Sequence, residues 1–390
     1  MVNPYDVSRI IERFSGVIPL NPAWVARDWI KSGRRLGLSE VEYDVGERGE
    51  ICERWLASTT PAANRVTYDG EGISTISIDG DRIRLDEFVQ ANPAAVMGEE
   101  YASQYAGLNR LAKIFDYQER VPYHIHPPAD AAEKAGLNSK DEAYYYLPGV
   151  DLGRHPESFF GVHSTLSPEE AERDLVRHLE EWEGTNVLAL SKAYHQFLEG
   201  GYFVPSGILH SPGTALTLEL QEDSDAMAFL QAECGGKHLS KDLLVGPLDK
   251  QEVAERGESA VLDWIDWDLN LVEDFHSRWH IRPLETTKED GVEISWILYG
   301  SEKFCAKRYR LEPGAISSIK EPGAYSIFVW TGALEVNGRR FKGGEPGSDE
   351  ALITYEKAQS GVTYTAGDEA VEFYAIFGPG LQETAPIINS

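Results

Sequence analysis

Short runs that alternate apolar and polar residues carry most of this chain, with only a few segments of helical period between them. Ile73-Ser-Thr-Ile-Ser-Ile78 has the period of two of a half-buried strand, and Asp79-Gly80-Asp81 behind it reads as a turn. Residues 108–115, 187–190, 201–204 and 214–220 read as further strands. From 292 to 377 short strands recur between turns such as Pro313-Gly314, Asn337-Gly338 and Gly343-Gly344, which predicts an all-β sandwich or barrel. Residues 1–40 look helical and mixed: Asn21-Pro22 ahead of Trp24, Val25, Trp29 and Ile30 predicts a capped helix with proline at its first position. Residues 84–92 read as a short helix. Ser167-Pro168-Glu169-Glu170 is a capping box, followed by an apolar stripe of Leu175, Val176, Leu179 and Trp182 that Gly184 ends. The charged, glycine-interrupted stretch 241–258 reads as a boundary, and 259–279 as a helix with Trp264, Trp267, Leu271 and Phe275 at helical spacing.

Length and charge narrow the classes. At 390 residues the chain is long for one core, and two domains or an elaborated single one are expected. With 36 basic against 64 acidic residues the formal charge is −28, which argues against nucleic acid and against an anionic membrane surface as partners. A small anionic substrate stays open, because a few lysines in a pocket reverse the sign locally. Cys52, Cys234 and Cys305 are too few and too scattered for a disulfide framework or a zinc finger. The N-terminus has no apolar signal region and no apolar run approaches membrane length, so a reduced, cytoplasmic protein is expected.

The candidate chemistry sits between residues 121 and 210. His124 and His126 are two apart, and in an extended strand such residues share a face. Glu142 follows in a Lys-x-Glu setting with Lys140, and His210 ends the segment Gly-Tyr-Phe-Val-Pro-Ser-Gly-Ile-Leu-His. Three imidazoles and one carboxylate suit a divalent ion: Zn first, with Mn, Fe, Co or Ni open. His155, His163, His178 and His195 read as surface or packing residues. All ten histidines lie at or before His280, so the C-terminal β-region has no imidazole for a metal. No glycine-rich phosphate loop, Gly-x-Ser-x-Gly elbow or cysteine–histidine pair is present.

From Glu50 to Asp225 the motifs resemble those of the class I mannose-6-phosphate isomerases, of the cupin superfamily. Glu53-Arg-Trp55 resembles an early Glu-x-Trp, and Asp86 to Pro93 with Gly98 is similar to the segment ahead of the metal strand. Lys113, eleven residues before His124, matches a pocket lysine. Lys140-Asp-Glu142 resembles the Lys-x-Glu that supplies a lysine and a ligand carboxylate, and Val204-Pro-Ser-Gly-Ile-Leu-His210 resembles the segment of the last ligand. Glu219-Leu-Gln-Glu-Asp-Ser-Asp225 is similar to Glu-Ile-Gln-Gln-x-Ser-Asp. The motifs depart from the family at two positions. His124 stands for its usual glutamine, and Phe229 for its catalytic arginine, a group that phenylalanine replaces with neither charge nor donor.

The resemblance implies a mainly β fold of two cupin (jelly-roll β-barrel) domains with short helical insertions and a helical connecting segment. Residues 1–245 would be the metal-binding catalytic domain with an N-terminal helical extension, 246–285 a helical linker, and 286–390 a second cupin-like domain lacking metal ligands. It implies one divalent ion on His124, His126, Glu142 and His210, with Lys140, Glu219, Lys113 and Glu53 as catalytic candidates. The activity implied is aldose–ketose isomerisation of a sugar or sugar phosphate, by proton transfer through a metal-stabilised enediolate. Against it stand a non-catalytic metal- and carbohydrate-binding protein, which Phe229 favours, and an Fe-dependent cupin oxygenase, which the ligand set also suits. The expected partner is a small sugar or sugar phosphate, with a homodimer left open.

Overall fold

The computed structural model describes residues 7–381 and 385–388. It is mainly β, and most of its strands form two sandwiches, with two further two-stranded ladders, Thr75–Ile78 with Asp81–Arg84 and Glu233–Cys234 with Lys237–His238. In the first sandwich, a seven-stranded sheet runs in the order His280–Ile281, Gly201–Val204, Glu142–Tyr146, Thr217–Gln221, Leu111–Phe115, Glu50–Leu56 and Ala23–Arg27. Opposite it lies a five-stranded sheet, Lys192–His195, Glu157–Phe160, His210–Ser211, His124–Ile125 and Ala228–Phe229. The second sandwich has a seven-stranded and a four-stranded sheet, joined through Tyr364, whose hydroxyl meets that of Tyr325 at 2.5 Å. The sheets keep open edges and do not close into the barrels expected from the resemblance.

Burial explains the strand composition. Every residue of Glu142–Tyr146 and of Thr217–Gln221 is buried. Central strands covered on both faces read as continuous rather than alternating, and polar residues inside them must find partners. In the second sandwich Asn337 and Gly338, both at positive φ, make the two-residue turn between Ala333–Val336 and Arg339–Lys342, as their Asn-Gly sequence predicts. The helix Pro168–Glu181 carries the expected reciprocal cap: Ser167 Oγ accepts from the Glu170 N–H at 3.2 Å, and Glu170 accepts from the Ser167 N–H at 3.0 Å. It ends at Trp182, in the left-handed conformation, ahead of Gly184.

Three expected elements differ. The residues after Pro22 form the strand Ala23–Arg27 rather than a helix, because pairing with Glu50–Leu56 satisfies their backbone. Asn186–Leu190 is a 3-10 helix, not a strand. The helix expected over 259–279 is three pieces, Gly257–Trp264, Trp267–Asn270 and Phe275–Trp279. Asp266 and Asp274 break it by capping the N–H groups of Leu269 and Ser277. The stretch 241–258 holds the helices Asp242–Val245 and Lys250–Arg256.

One strand crosses between the ends of the chain. Val17–Pro19 forms the edge of the second seven-stranded sheet, pairing Val17 with Ile353. Beside it Arg54 forks onto Asp349 at 2.6 and 2.7 Å and reaches Glu350 at 3.1 Å, all three buried. All three cysteines are free and buried. Among the described residues no helix is long and apolar enough to cross a membrane.

Candidate metal centre

The register of the five-stranded sheet sets His210, His124 and Phe229 side by side on three adjacent strands. In the facing sheet Glu219 lies opposite both Lys113 and Tyr144, and Lys113 opposite Trp55. Strand residues two apart share a face, so Glu142 and Glu53 join that row. The two rows meet inside the sandwich. There His124, His126, Glu142 and His210, all buried, bring one ligand atom each within 4.8 Å of one another, an arrangement that could hold a metal ion.

The imidazoles are oriented by the backbone. Each Nδ1 lies against a carbonyl: His124 on Pro122 at 2.7 Å, His126 on Ala226 at 2.8 Å and His210 on Ile208 at 2.8 Å. A carbonyl only accepts, so each Nδ1 carries the proton and each Nε2 presents a lone pair inward. Burial pushes the pKa of His124 well below the usual imidazole range, helped by His210 and His126. Burial and Lys140 bring His126 down to about 3. Both rings are therefore neutral at pH 7, with no proton for a metal ion to displace. His210 Nε2 makes no hydrogen bond, although it lies 2.8 Å from Glu142 Oε1. A buried, unbonded imidazole nitrogen among two others and a carboxylate fits a divalent cation better than it fits a settled core. Burial acts to raise Glu142, but Lys140, 3.2 Å away, holds its pKa well below the carboxylate range.

Behind the ligands runs a line of alternating charge. Lys140 Nζ is 3.2 Å from Glu142 and 3.8 Å from Glu219; Lys113 Nζ is 3.3 Å from Glu219 and 3.9 Å from Glu53. Arg27 then forks onto Glu53 at 2.5 and 3.0 Å and onto Asp225 at 2.9 and 3.1 Å. All these side chains are buried. Four carboxylates face three cations along this line. Burial pushes Glu219 up to about 8, with Lys113 pulling it down and Glu142 pushing it further up. Glu53 also accepts from Trp55 Nε1 at 2.7 Å and Tyr117 at 2.6 Å, so its oxygens are fully engaged.

All eight residues singled out in the sequence thus come together. Arg27 was missed: it lies 198 positions from Asp225, and nothing local marks it. Trp29, assigned above to a helix, lines instead a cavity of about 610 Å³ beside the centre, with Arg27, Asn138, Asp225, Met227 and Phe229. The Phe229 ring stands 6.0 Å from that of His124 and edge-on to Trp29 at 4.9 Å. His163 and His195 are exposed, and His155 and His178 half-buried.

Solved structures of the same shape are known. A putative mannosephosphate isomerase from Archaeoglobus fulgidus superposes with a TM-score of 0.63 at 15% identity, covering 93% of this chain and 97% of that one. The mannose 6-phosphate isomerase of Bacillus subtilis gives 0.62 at 18% identity, covering 92% and 99%. A point variant of phosphomannose isomerase from Salmonella typhimurium gives 0.62 at 13% identity, covering 93% and 99%. The chain has the cupin-like fold of the phosphomannose isomerases. No protein-family model matches the sequence, and no curated protein matches it. At these identities the likeness is one of fold, and the chemistry rests on the residues themselves.

Proposed function

We propose that the protein is a metal-dependent aldose–ketose isomerase. The observation that carries this reading is the convergence of three inward Nε2 atoms and the Glu142 carboxylate, with Glu219 and two lysines directly behind them. His124, His126, Glu142 and His210 would hold one divalent ion, zinc before manganese, iron, cobalt or nickel. When bound, that ion polarises the sugar's carbonyl and neighbouring hydroxyl. Glu219 is the group that takes a proton from one carbon and returns it to the next; burial, which lifts its pKa to about 8, makes it a stronger base than a surface glutamate. Lys113 and Lys140 position it and balance its charge. Glu53, held by four partners, fixes Lys113 and Arg27 rather than touching substrate.

Metal analysis of protein purified without chelator tests the reading, followed by an isomerisation panel of sugars and sugar phosphates. About one equivalent of Zn, Mn, Co or Ni with ketose formed from aldose supports it. Absence of binding for each of these ions overturns it, and iron with oxygen consumption points to an oxygenase instead. A metal- and carbohydrate-binding protein without turnover draws support from one observation, Phe229 packed over His124. We further assign residues 1–245 to a metal-binding domain, 246–285 to a linker and 286–390 to a second β-domain, with Val17–Pro19 reaching across. The three free cysteines support a cytoplasmic location.

A further inference from the structure

We infer that the substrate is an uncharged sugar rather than a sugar phosphate, an inference that rests on the isomerase reading above. It starts from the cavity of about 610 Å³ and from what its wall can offer an anion. This cavity adjoins the centre at two points. Ala226, in its wall, accepts the His126 Nδ1 proton at 2.8 Å, and Phe229, also in its wall, stands against His124. A sugar that approaches the centre from this side has its far end against this wall.

The wall is acidic. Its charged side chains are Asp223, Asp225, Asp242 and the single guanidinium of Arg27. Arg27 has five N–H groups, and all five are engaged: Nε on Glu53, Nη1 on Asn64 and Asp225, Nη2 on Glu53 and Asp225. It has no donor left for a phosphate. Lys113 and Lys140 are absent from the wall, and each lies within 4 Å of two carboxylates. A phosphate dianion would thus meet Asp223 and Asp242, and Asp225 already paired with Arg27, with no cation free to answer it, a juxtaposition that rejects rather than binds. Hydroxyls fit the same wall, because carboxylates accept what hydroxyls donate. Trp29 and Phe229, edge to face, add an apolar surface suited to the C–H face of a sugar ring.

The test uses the metal-loaded protein with D-mannose, D-glucose and D-ribose, each beside its terminal phosphate. Isomer formation is followed by NMR and binding by calorimetry. A kcat/KM for a free aldose at least tenfold above that of its phosphate is the expected result; equal or reversed preference overturns the inference. If none of these sugars is isomerised, the isomerase reading fails and calorimetry decides the inference alone: binding of free sugar with weaker or no binding of its phosphate supports it, and binding of neither overturns it. Asp242→Lys, at an exposed position on a short helix, should narrow the discrimination several-fold. Discrimination unchanged in that variant overturns the electrostatic account.

Discussion

Replacing His210 with alanine removes a buried Nε2 that makes no hydrogen bond, and it does so where the side chain is wholly buried. An ion present at about 100 times its Kd stabilises the protein that binds it by about 2.7 kcal/mol. Each kcal/mol moves Tm by about 2–4 °C for domains of about 150–250 residues, so for this longer chain a rise of roughly 5 °C is expected. Loss of an outer partner of a metal ligand weakens binding by roughly 10–100-fold, and loss of the ligand itself by at least the upper figure. At the same ion concentration the variant then gains only about 0.4 kcal/mol, a rise of about 1 °C or less. Thermal melts of chelator-treated protein, with and without each ion, read this difference. His195→Ala, which alters an exposed imidazole at the edge of the same sheet, should keep the full rise. A full rise in His210→Ala, or none in the unaltered protein with any ion, would refute the proposed ligand set.

Glu219→Gln should lower isomer formation by about 10²–10⁴-fold while metal content, measured by mass spectrometry, stays at the unaltered level. Arg54→Met leaves Asp349 and Glu350 buried beside each other without their cation, and urea unfolding should show a loss of about 3–5 kcal/mol; an unchanged midpoint would show the cluster relaxes or hydrates. Burial, opposed by Arg54, pushes Glu350 up to about 7 from an ordinary 4.5. The folded protein therefore keeps a proton that the unfolded chain loses. Its contribution is fully present below pH 4.5 and is lost as pH rises through 7, by about 3 kcal/mol in all. In Glu350→Gln the fall in stability between pH 5 and 8 should flatten, and a slope equal to that of the unaltered protein would place the titrating group elsewhere.

The four candidate ligands were legible because each carries a local sign: two histidines at strand spacing, a lysine-flanked glutamate, a histidine closing an apolar strand behind a Pro-x-Gly turn. Reciprocal capping made the helix at Pro168 legible for the same reason. Where partners are distant the pattern misleads. Pro22 with Trp24, Val25, Trp29 and Ile30 has a helix's spacing, but the strand Glu50–Leu56 supplies the hydrogen bonds that decide the matter. Asp266 and Asp274 are ordinary acidic residues until their side chains turn onto nearby N–H groups and split one expected helix. Arg27 was illegible for the opposite reason: its two carboxylates come from different strands and loops, and only the folded sheet brings them together.

The edge strand Val17–Pro19 has a consequence for synthesis. It leaves the ribosome long before its partner Glu350–Ile353. At about 5–20 residues per second, on the order of 20–60 s separate the two. Throughout that interval Ile18, wholly buried in the finished protein, has no sheet to join. Closure of this edge therefore waits until residue 353 has been made, and a nascent chain stalled short of residue 350 offers chaperones and proteases an unpaired apolar segment.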